Sequence, residues 1–186
     1  LALQHCRGRY ALLLNPDTRV LDDALTTLLD YAEAHPDVGV VGPRLVYGDG
    51  SPAPSRYRFP TLMTALMEST RLEECFPNNR WARRYHMADT PDDATQDVGW
   101  VNGACLLVRR TAFEQVGLLD EGFFMYSEEV DWCRRITDAG WRVVYLPTAT
   151  VVHYEGRSSA QVAPARHIHF QTSKIRYFYK HHGALQ

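Results

Sequence analysis

The chain lacks a charge excess and a long apolar run, and each absence excludes a class of protein. Its 186 residues carry a formal net charge of −2, so no overall positive field points to nucleic acid as a partner. No apolar run approaches the roughly 18–20 residues needed to span a bilayer, and no signal peptide is visible. A composition of 45% hydrophobic and 23% charged residues is that of one ordinary globular domain, expected to cover residues 1–186.

Paired cysteines are also missing from the sequence. Cys6, Cys75, Cys105 and Cys133 are far apart, and none belongs to a C-x-x-C pair. This spacing argues against a zinc site and against a disulfide framework, and it favours a reducing compartment such as the cytoplasm. Cys105 and Cys133 lie in apolar surroundings and are predicted to be core thiols.

Short apolar runs alternate with amphipathic segments, which is the pattern of an α/β domain. A continuous run such as residues 10–14 predicts a strand buried on both faces, as in a parallel sheet. Prolines break up residues 52–97, and a hairpin turn is predicted at residues 48–50. The predicted strands are residues 10–14, 38–41, 45–47, 98–110, 141–146 and 150–153, and the predicted helices are residues 22–34, 62–71, 111–116, 127–139 and 164–180.

Two polar residues follow the first of these strands. Asn15 and Asp17 are separated by Pro16, and side chains two residues apart in an extended turn point the same way. Ligands of open α/β sheets bind beyond the carboxyl ends of the strands, where a carboxylate can hold a hard divalent cation. The alternative is an Asx-type turn in which Asp17 caps the backbone, and the local sequence leaves both interpretations open.

Three acidic residues open one of the predicted helices. Glu128, Glu129 and Asp131 suit the positive end of the helix dipole, so helix capping together with Ser127 is one interpretation. A carboxylate in this turn could instead accept a proton from a hydroxyl group as a general base. The aromatic lead-in at residues 123–126 could wall off a pocket, which favours the catalytic interpretation.

A histidine ends the last predicted strand. A lone histidine such as His153 is more often structural than a ligand, but here it could converge with Asp17 on one site. Arg157, in the loop that follows, could contact phosphate or be an ordinary loop residue. The remaining clustered histidines are interpreted as surface residues: His167, His169, His181 and His182.

Four segments in register resemble the GT-A-fold family 2 glycosyltransferases, and especially their bacterial rhamnosyltransferase-like branch. They are residues 8–18 with Asn-Pro-Asp, residues 98–110, residues 123–135 with Ser-Glu-Glu-Val-Asp, and residues 140–147 leading to His153. Each segment alone is moderately specific, and the four together are a strong signal. The resemblance implies an α/β GT-A fold, a mostly parallel mixed sheet flanked by helices.

The resemblance also implies a reaction, the transfer of a sugar from a nucleoside diphosphate donor with inversion at the anomeric carbon. Asp17 and His153 would hold Mg²⁺ or Mn²⁺, which neutralises the leaving diphosphate. Glu129 stands where the family usually has an aspartate base, and Glu128 or Asp131 could share that role. The residues implied to contact donor or acceptor are Asn15, Trp100, Asn102, Gly103, Arg135 and Arg157.

Three departures from the family pattern bear on this function. Asn15 replaces the first acid of the D-x-D motif, so it is expected to touch the donor rather than the ion. Glu129 is one methylene longer than the usual aspartate. The family's first two strands, which hold the nucleotide base and ribose, normally precede these segments. The chain is therefore expected to be N-terminally incomplete and to bind donor poorly alone, with a truncated non-catalytic binding module as the alternative.

The implied partners are a nucleoside-diphosphate sugar donor and a glycan or lipid-linked acceptor, with rhamnose as the candidate sugar. Such acceptors suggest work in the cytoplasm, with peripheral contact at the inner face of the membrane. The aromatic helix end at residues 177–180 could make that contact, although core packing is the favoured alternative. A metal-dependent hydrolase is a third interpretation, but the sequence has no second metal cluster and no nucleophile motif for it.

Overall fold

The computed structural model describes residues 2–70, 72–76, 79–154 and 163–183. Within these ranges, strands and helices follow a short 3-10 helix at Ala2–His5. The strands are β1 (Tyr10–Leu14), β2 (Thr18–Val20), β3 (Val38–Val46), β4 (Pro52–Ala53), β5 (Arg56–Tyr57), β6 (Gln96–Asp97), β7 (Trp100–Val101), β8 (Cys105–Arg109) and β9 (Arg142–His153). The helices are α1 (Ala24–Ala34), α2 (Leu62–Ser69), α3 (Leu72–Cys75), α4 (Arg80–Tyr85), α5 (Arg110–Val116), α6 (Glu128–Asp138) and α7 (Ala163–His182).

The main sheet has the strand order β1-β8-β3-β9-β2, with β4 paired to β3 and β6 paired to β9. β3 and β9 run parallel, and Val40 lies opposite Val143. The other described pairs of this sheet are antiparallel, as are β5 and β7 in a separate two-stranded sheet. The mixed α/β sheet with flanking helices is confirmed. Parallel pairing, which was expected to predominate, is confined in the described residues to β3 and β9.

The expected parallel pairing was inferred from continuous apolar runs, which indicate burial on both faces of a strand and not its direction. β8 lies between β1 and β3 and runs antiparallel to both. Its side chains alternate between two cores, with Leu106 and Val108 in one and Cys105 and Leu107 in the other. A strand covered on both faces is apolar throughout, whichever way its neighbours run. The pattern therefore reports burial and carries no information about strand direction.

Two apolar cores lie on opposite faces of the main sheet. On one face α6 contributes Trp132, Cys133 and Ile136, which are fully buried. On the other face α1 contributes Leu28 and Ala32. The burial of Cys133 confirms its prediction as a core thiol. Because truncating a buried tryptophan costs roughly 3–5 kcal/mol, Trp132 anchors α6 firmly against the sheet.

The segment predicted as one strand at residues 98–110 is two strands in different sheets. β7 pairs with β5, β8 lies in the main sheet, and a turn at residues 102–104 separates them. Gly99 permits the close approach of β7, because a Cβ atom there would lie 2.5 Å from the backbone nitrogen of Phe59. Conversely, the two strands predicted at residues 141–146 and 150–153 form the single strand β9.

Two of the three aromatic residues at the end of α7 pack into the protein, whereas Tyr179 is 68% exposed. Tyr177 and Phe178 are buried, which confirms core packing as their use. Ile175 of the same helix is 69% exposed. Two residues correspond to about 200° around a helix, so Ile175 and Tyr177 lie on opposite faces. No helix in the described ranges has the length and apolarity needed to cross a bilayer.

Candidate active site

Asp17 and His153 lie side by side at one edge of the main sheet. β2 pairs with β9 so that Thr18 is opposite His153, and the backbone N–H of Tyr154 donates to the Asp17 carbonyl over 2.8 Å. The Nε2 atom of His153 is 3.4 Å from the Oδ1 atom of Asp17. The structure therefore brings together the two residues implied to bind a metal ion, although they are distant in sequence.

The geometry of this pair fits two ligands of one divalent cation. Octahedral Mg²⁺ with ligands at 2.0–2.1 Å holds neighbouring ligand atoms about 3 Å apart, close to the separation of Asp17 and His153. Their side chains are 22% and 11% exposed, so the site is partly open. Among the residues that the structure describes, no group of three potential metal-ligating side chains is found. A cation held by these two side chains would take its remaining ligands from water and substrate phosphates, as is usual for Mg²⁺.

Asn15 begins the turn that carries Asp17. The Asn15 carbonyl accepts hydrogen bonds from the backbone N–H of Thr18, at 3.3 Å, and from its hydroxyl, at 2.6 Å. The Asn15 N–H donates to the carbonyl of Ala104 over 2.9 Å. The main chain of Asn15 thus closes its own turn and also attaches it to the turn at residues 102–104.

Two residues in the left-handed backbone region precede α6. Tyr126 and Ser127 have φ angles of 68° and 63°. This conformation costs an ordinary residue roughly 1–2 kcal/mol, and such strain concentrates at functional sites. Ser127 occupies the N-cap position, but its side chain makes no capping hydrogen bond, so the predicted serine cap was wrong. The turn instead brings Tyr126, Ser127 and Glu129 to the wall of one cavity.

The carboxyl group of Glu129 lies against Gly103. A Cβ atom at Gly103 would be 3.6 Å from the Oε1 atom of Glu129, and the Gly103 backbone hydrogen-bonds the carboxylate. The Oε2 atom is buried and has no hydrogen-bond partner among the described residues. Burial raises the pKa of Glu129 to about 8, and repulsion from the Glu128 carboxyl group contributes. A carboxyl group with this pKa is matched to proton transfer near neutral pH.

Glu128 has a related environment but a different position. Burial also raises the pKa of Glu128, and its Oε2 atom is buried without a hydrogen-bond partner in the described part of the chain. Unlike Glu129, it is not among the residues that line the cavity. Glu128 therefore acts on the site through its charge, which contributes to the raised pKa of Glu129.

The cavity beside Glu129 has a volume of about 610 Å³, within the usual range for small-molecule sites. Trp100 stacks on Tyr57 in its wall, with ring centroids 4.1 Å apart and planes inclined by 7°. Asn102 is fixed by its amide, which donates to the Pro54 carbonyl and accepts from the Ala104 N–H. The other lining residues are Pro60, Glu68, Tyr85, Tyr126, Ser127, Val130, Arg166, His167, Phe170, Lys174, Tyr177 and Phe178.

Several of these wall residues were missed by sequence reasoning. Glu68 and Tyr85 lie in the proline-broken segment, and Lys174 lies on α7. The aromatic residues of that segment were a weak signal, but no local pattern predicts that the segment folds over Trp100. Burial raises the pKa of Tyr85 well above its ordinary value, so its hydroxyl group remains a hydrogen-bond donor.

Asp131 does not reach the cavity. It is fully buried, and its carboxylate contacts Arg135 at 2.9 Å and Lys180 and His181 at 2.8 Å each. Burial alone would raise the pKa of Asp131, but the hydrogen bonds from Lys180 and His181 and the charge of Arg135 outweigh it and lower the pKa. The carboxylate therefore links α6 to α7. His181, which was interpreted as a surface residue, has a side chain only 9% exposed and contacts Asp131.

Arg135 also faces away from the cavity. Its guanidinium group donates to the carbonyl oxygens of Val116, Gly117 and Leu118, in addition to Asp131. Residues 131 and 135 are one turn apart on α6, so they share a face that differs from the face of Glu129. The structure thus separates these two candidates from Glu129. Arg157, the other candidate arginine, lies outside the described residues.

Comparison with known proteins identifies relatives along nearly the whole chain. The family described as glycosyltransferase-like family 2 matches residues 1–167. The N-acetylglucosaminyl-diphospho-decaprenol L-rhamnosyltransferase of Mycobacterium tuberculosis is 37% identical over 176 residues, which cover 94% of this chain and 56% of that protein. Rhamnosyltransferase WbbL of Escherichia coli K12 is 29% identical over 157 residues, which cover 78% of this chain and 52% of that protein. The chain thus spans about half the length of these curated relatives.

Solved structures with a similar fold include two proteins that were solved with a nucleotide or nucleotide sugar and Mn²⁺. GalNAc-T7 with UDP, GalNAc and Mn²⁺ matches with a TM-score of 0.58 at 14% identity, over 95% of this chain and 32% of that one. The mannosyltransferase PcManGT from Pyrobaculum calidifontis, with GDP-Man and Mn²⁺, matches with a TM-score of 0.56 at 17% identity, over 96% of this chain and 41% of that one. At these identities the similarity concerns the fold, and it confirms the GT-A architecture.

Proposed function

Because this chain belongs to glycosyltransferase-like family 2, we propose that its protein transfers a sugar from a nucleoside diphosphate donor to a glycan or lipid-linked acceptor, with inversion. L-Rhamnose is the proposed sugar, supported by the names of the Mycobacterium and Escherichia relatives. A lipid-linked acceptor is supported by the diphospho-decaprenol in the first of these names. Such an acceptor would bring the protein to the cytoplasmic face of a membrane.

The observation that carries this proposal is the environment of Glu129. Its carboxyl group has a pKa raised to about 8 by burial, and it lines a cavity large enough for a sugar. In its ionised form Glu129 would accept the proton of an acceptor hydroxyl as that oxygen attacks the anomeric carbon. Attack opposite the leaving diphosphate forms one glycosidic bond, breaks the bond to the diphosphate and inverts the anomeric centre.

Asp17 and His153 are the residues proposed to hold a divalent cation, Mg²⁺ or Mn²⁺. Their 3.4 Å separation and partial exposure suit this role, and Mn²⁺ accompanies the nucleotide in both similar solved structures. When bound, the cation would supply positive charge next to the leaving diphosphate. Asn15 would contact the donor, and Trp100, Asn102 and Gly103 would form the wall between donor sugar and acceptor.

The test uses the full-length protein that carries this chain. We expect Mn²⁺-dependent transfer from one of the UDP, dTDP or GDP sugars, detected by mass spectrometry. Proton NMR of the product should show an anomeric configuration opposite to that of the donor. A retained configuration would contradict the role given to Glu129. Nucleotide-sugar binding without either transfer or donor hydrolysis would favour a non-catalytic binding module instead.

A further inference from the structure

An ion pair between Glu68 and Lys174 forms part of the wall of the cavity that contains Glu129. The Oε2 atom of Glu68 and the Nζ atom of Lys174 are 2.9 Å apart, and the side chains are 20% and 10% exposed. The Lys174 ammonium group also lies 3.4 Å from the Ser69 hydroxyl and 4.6 Å from the centre of the Phe170 ring. Both charged residues line the cavity, so a bound molecule would meet them directly.

Stability alone does not account for this pair. Burying two charges removes their hydration, and their mutual attraction often only offsets that loss. The helices that carry them, α2 and α7, are also joined by the hydrogen bond from Ser69 to Gln171, over 3.4 Å. A polar ligand in the cavity would supply hydrogen bonds that Glu68 and Lys174 lose through burial.

The surroundings of the pair suit an uncharged sugar. Tyr57, Trp100 and Phe170 give the cavity an aromatic wall, which can pack against the apolar face of a pyranose. An ammonium and a carboxylate side by side offer a donor and an acceptor to one hydroxyl group. The opposite charges of Glu68 and Lys174 cancel, so the pair offers no net positive charge to the donor diphosphate.

We propose that Glu68 and Lys174 determine acceptor specificity by binding one ring hydroxyl of the acceptor sugar. Lys174 donates an N–H to the oxygen of this hydroxyl, and Glu68 accepts a hydrogen bond from its O–H. These contacts orient the sugar so that its attacking hydroxyl faces Glu129. The inference rests on the proposed function, to which it adds the acceptor class: a pyranose with a free hydroxyl beside the position that attacks.

The experiment measures acceptor kinetics with the full-length protein. The acceptor probe is N-acetylglucosaminyl diphosphate on a short lipid, together with analogues that each lack one ring hydroxyl. The donor is the nucleoside diphosphate L-rhamnose form that the wild type accepts. Glu68→Gln and Lys174→Met should each raise the acceptor KM about tenfold, because a hydrogen bond to a charged group is lost. The donor KM should stay unchanged, because the pair is assigned to the acceptor.

If the pair binds an acceptor hydroxyl, the effect on kcat/KM of removing that hydroxyl should depend on whether Glu68 and Lys174 are present. Removing the contacted hydroxyl should reduce kcat/KM about tenfold in the wild type and have little further effect in Glu68→Gln or Lys174→Met. Gln171→Ala is the matched control, because it removes a contact between the same two helices outside the cavity wall. Thermal unfolding establishes that each variant is folded.

Two outcomes would overturn the inference while leaving the proposed function intact. One is an acceptor KM that rises equally in Gln171→Ala. The other is an acceptor in which removal of each ring hydroxyl costs Glu68→Gln and Lys174→Met as much as it costs the wild type, since a merely structural pair would not be coupled to the acceptor. A wild-type protein that neither transfers the sugar nor hydrolyses any donor would instead contradict the proposed function itself, and this inference with it.

Discussion

The backbone N–H of Asn15 donates a 2.9 Å hydrogen bond to the carbonyl oxygen of Ala104. Asn15 begins the turn that carries Asp17, and Ala104 ends the turn whose Gly103 lies against Glu129. One main-chain contact therefore joins the candidate metal ligand to the candidate base. Catalysis by positioned groups is sensitive to displacements of about 1 Å. This hydrogen bond therefore helps to fix the position of the Asp17 turn relative to the turn that contacts Glu129.

Replacing Glu129 by glutamine is expected to remove the base without changing the shape of the wall. Turnover should fall by about 10²–10⁴-fold, the usual contribution of a general base. Nucleotide binding in the presence of Mn²⁺ should persist, as measured by calorimetric titration. Glu128→Gln is the control, since Glu128 neighbours Glu129 without lining the cavity. Equal losses in the two variants, or an active Glu129→Gln enzyme, would remove Glu129 from this role.

The pH dependence of kcat/KM should report the ionisation of Glu129. Its pKa is raised to about 8, and only the ionised carboxylate accepts a proton. Activity should therefore be low near pH 6, rise about tenfold per pH unit below pH 8 and level off above it. In Glu128→Gln the rise should move to lower pH, because repulsion from Glu128 contributes to the raised pKa. A flat profile between pH 6 and 9 would contradict this assignment.

Asp17→Asn should weaken the use of the metal ion rather than the fold. An amide oxygen is neutral and binds a hard cation less well than a carboxylate, so half-maximal activity should require at least about tenfold more Mn²⁺. The bound ion can also be followed by electron paramagnetic resonance, independently of turnover. Asp23→Asn, at the start of α1, is the control. An unchanged Mn²⁺ requirement in Asp17→Asn would argue against the proposed site.

Asp131→Asn should act on stability. Asp131 is fully buried and contacts Arg135, Lys180 and His181, so neutralising it removes three charge-assisted contacts and leaves a buried amide facing these groups. Breaking such a cluster typically costs about 3–5 kcal/mol, measured by chemical denaturation. Asp138→Asn is matched to it, because Asp138 also pairs with an arginine four residues away on α6 but is exposed.

The exposed pair of Asp138 should contribute at most about 1 kcal/mol. Comparable destabilisation by the two substitutions would mean that Asp131 does not tie α6 to α7. A fully stable Asp131→Asn protein with impaired turnover would return Asp131 to the catalytic role that the sequence pattern allowed.

Local patterns predicted the elements that carry the site. The first apolar strand predicts where Asp17 lies, and the acidic turn predicts the start of α6. The same acidic turn could not separate Glu129 from Asp131 by composition. Helical spacing does separate them, since a residue two positions along a helix faces another side. Burial then gives the two carboxylates opposite chemistry, with a raised pKa in one and a lowered pKa in the other.

Features that depend on distant partners were beyond local patterns. The pairing of β2 with β9, which joins Asp17 to His153, is a contact between segments far apart in the chain. The cavity wall formed by Glu68 and Lys174 likewise requires α2 to pack on α7. No short-range signal encodes such packing, because the residues concerned are compatible with several surroundings.

The pairing of β2 with β9 also limits where residues can be inserted next to Asp17. Thr18 is opposite His153, and side chains alternate between the two faces of a strand. Substitutions preserve this register, whereas an insertion between Asp17 and Thr18 would move Asp17 one position out of this register and away from His153. Among homologous sequences, we therefore expect gaps to avoid this stretch even where the residues themselves vary.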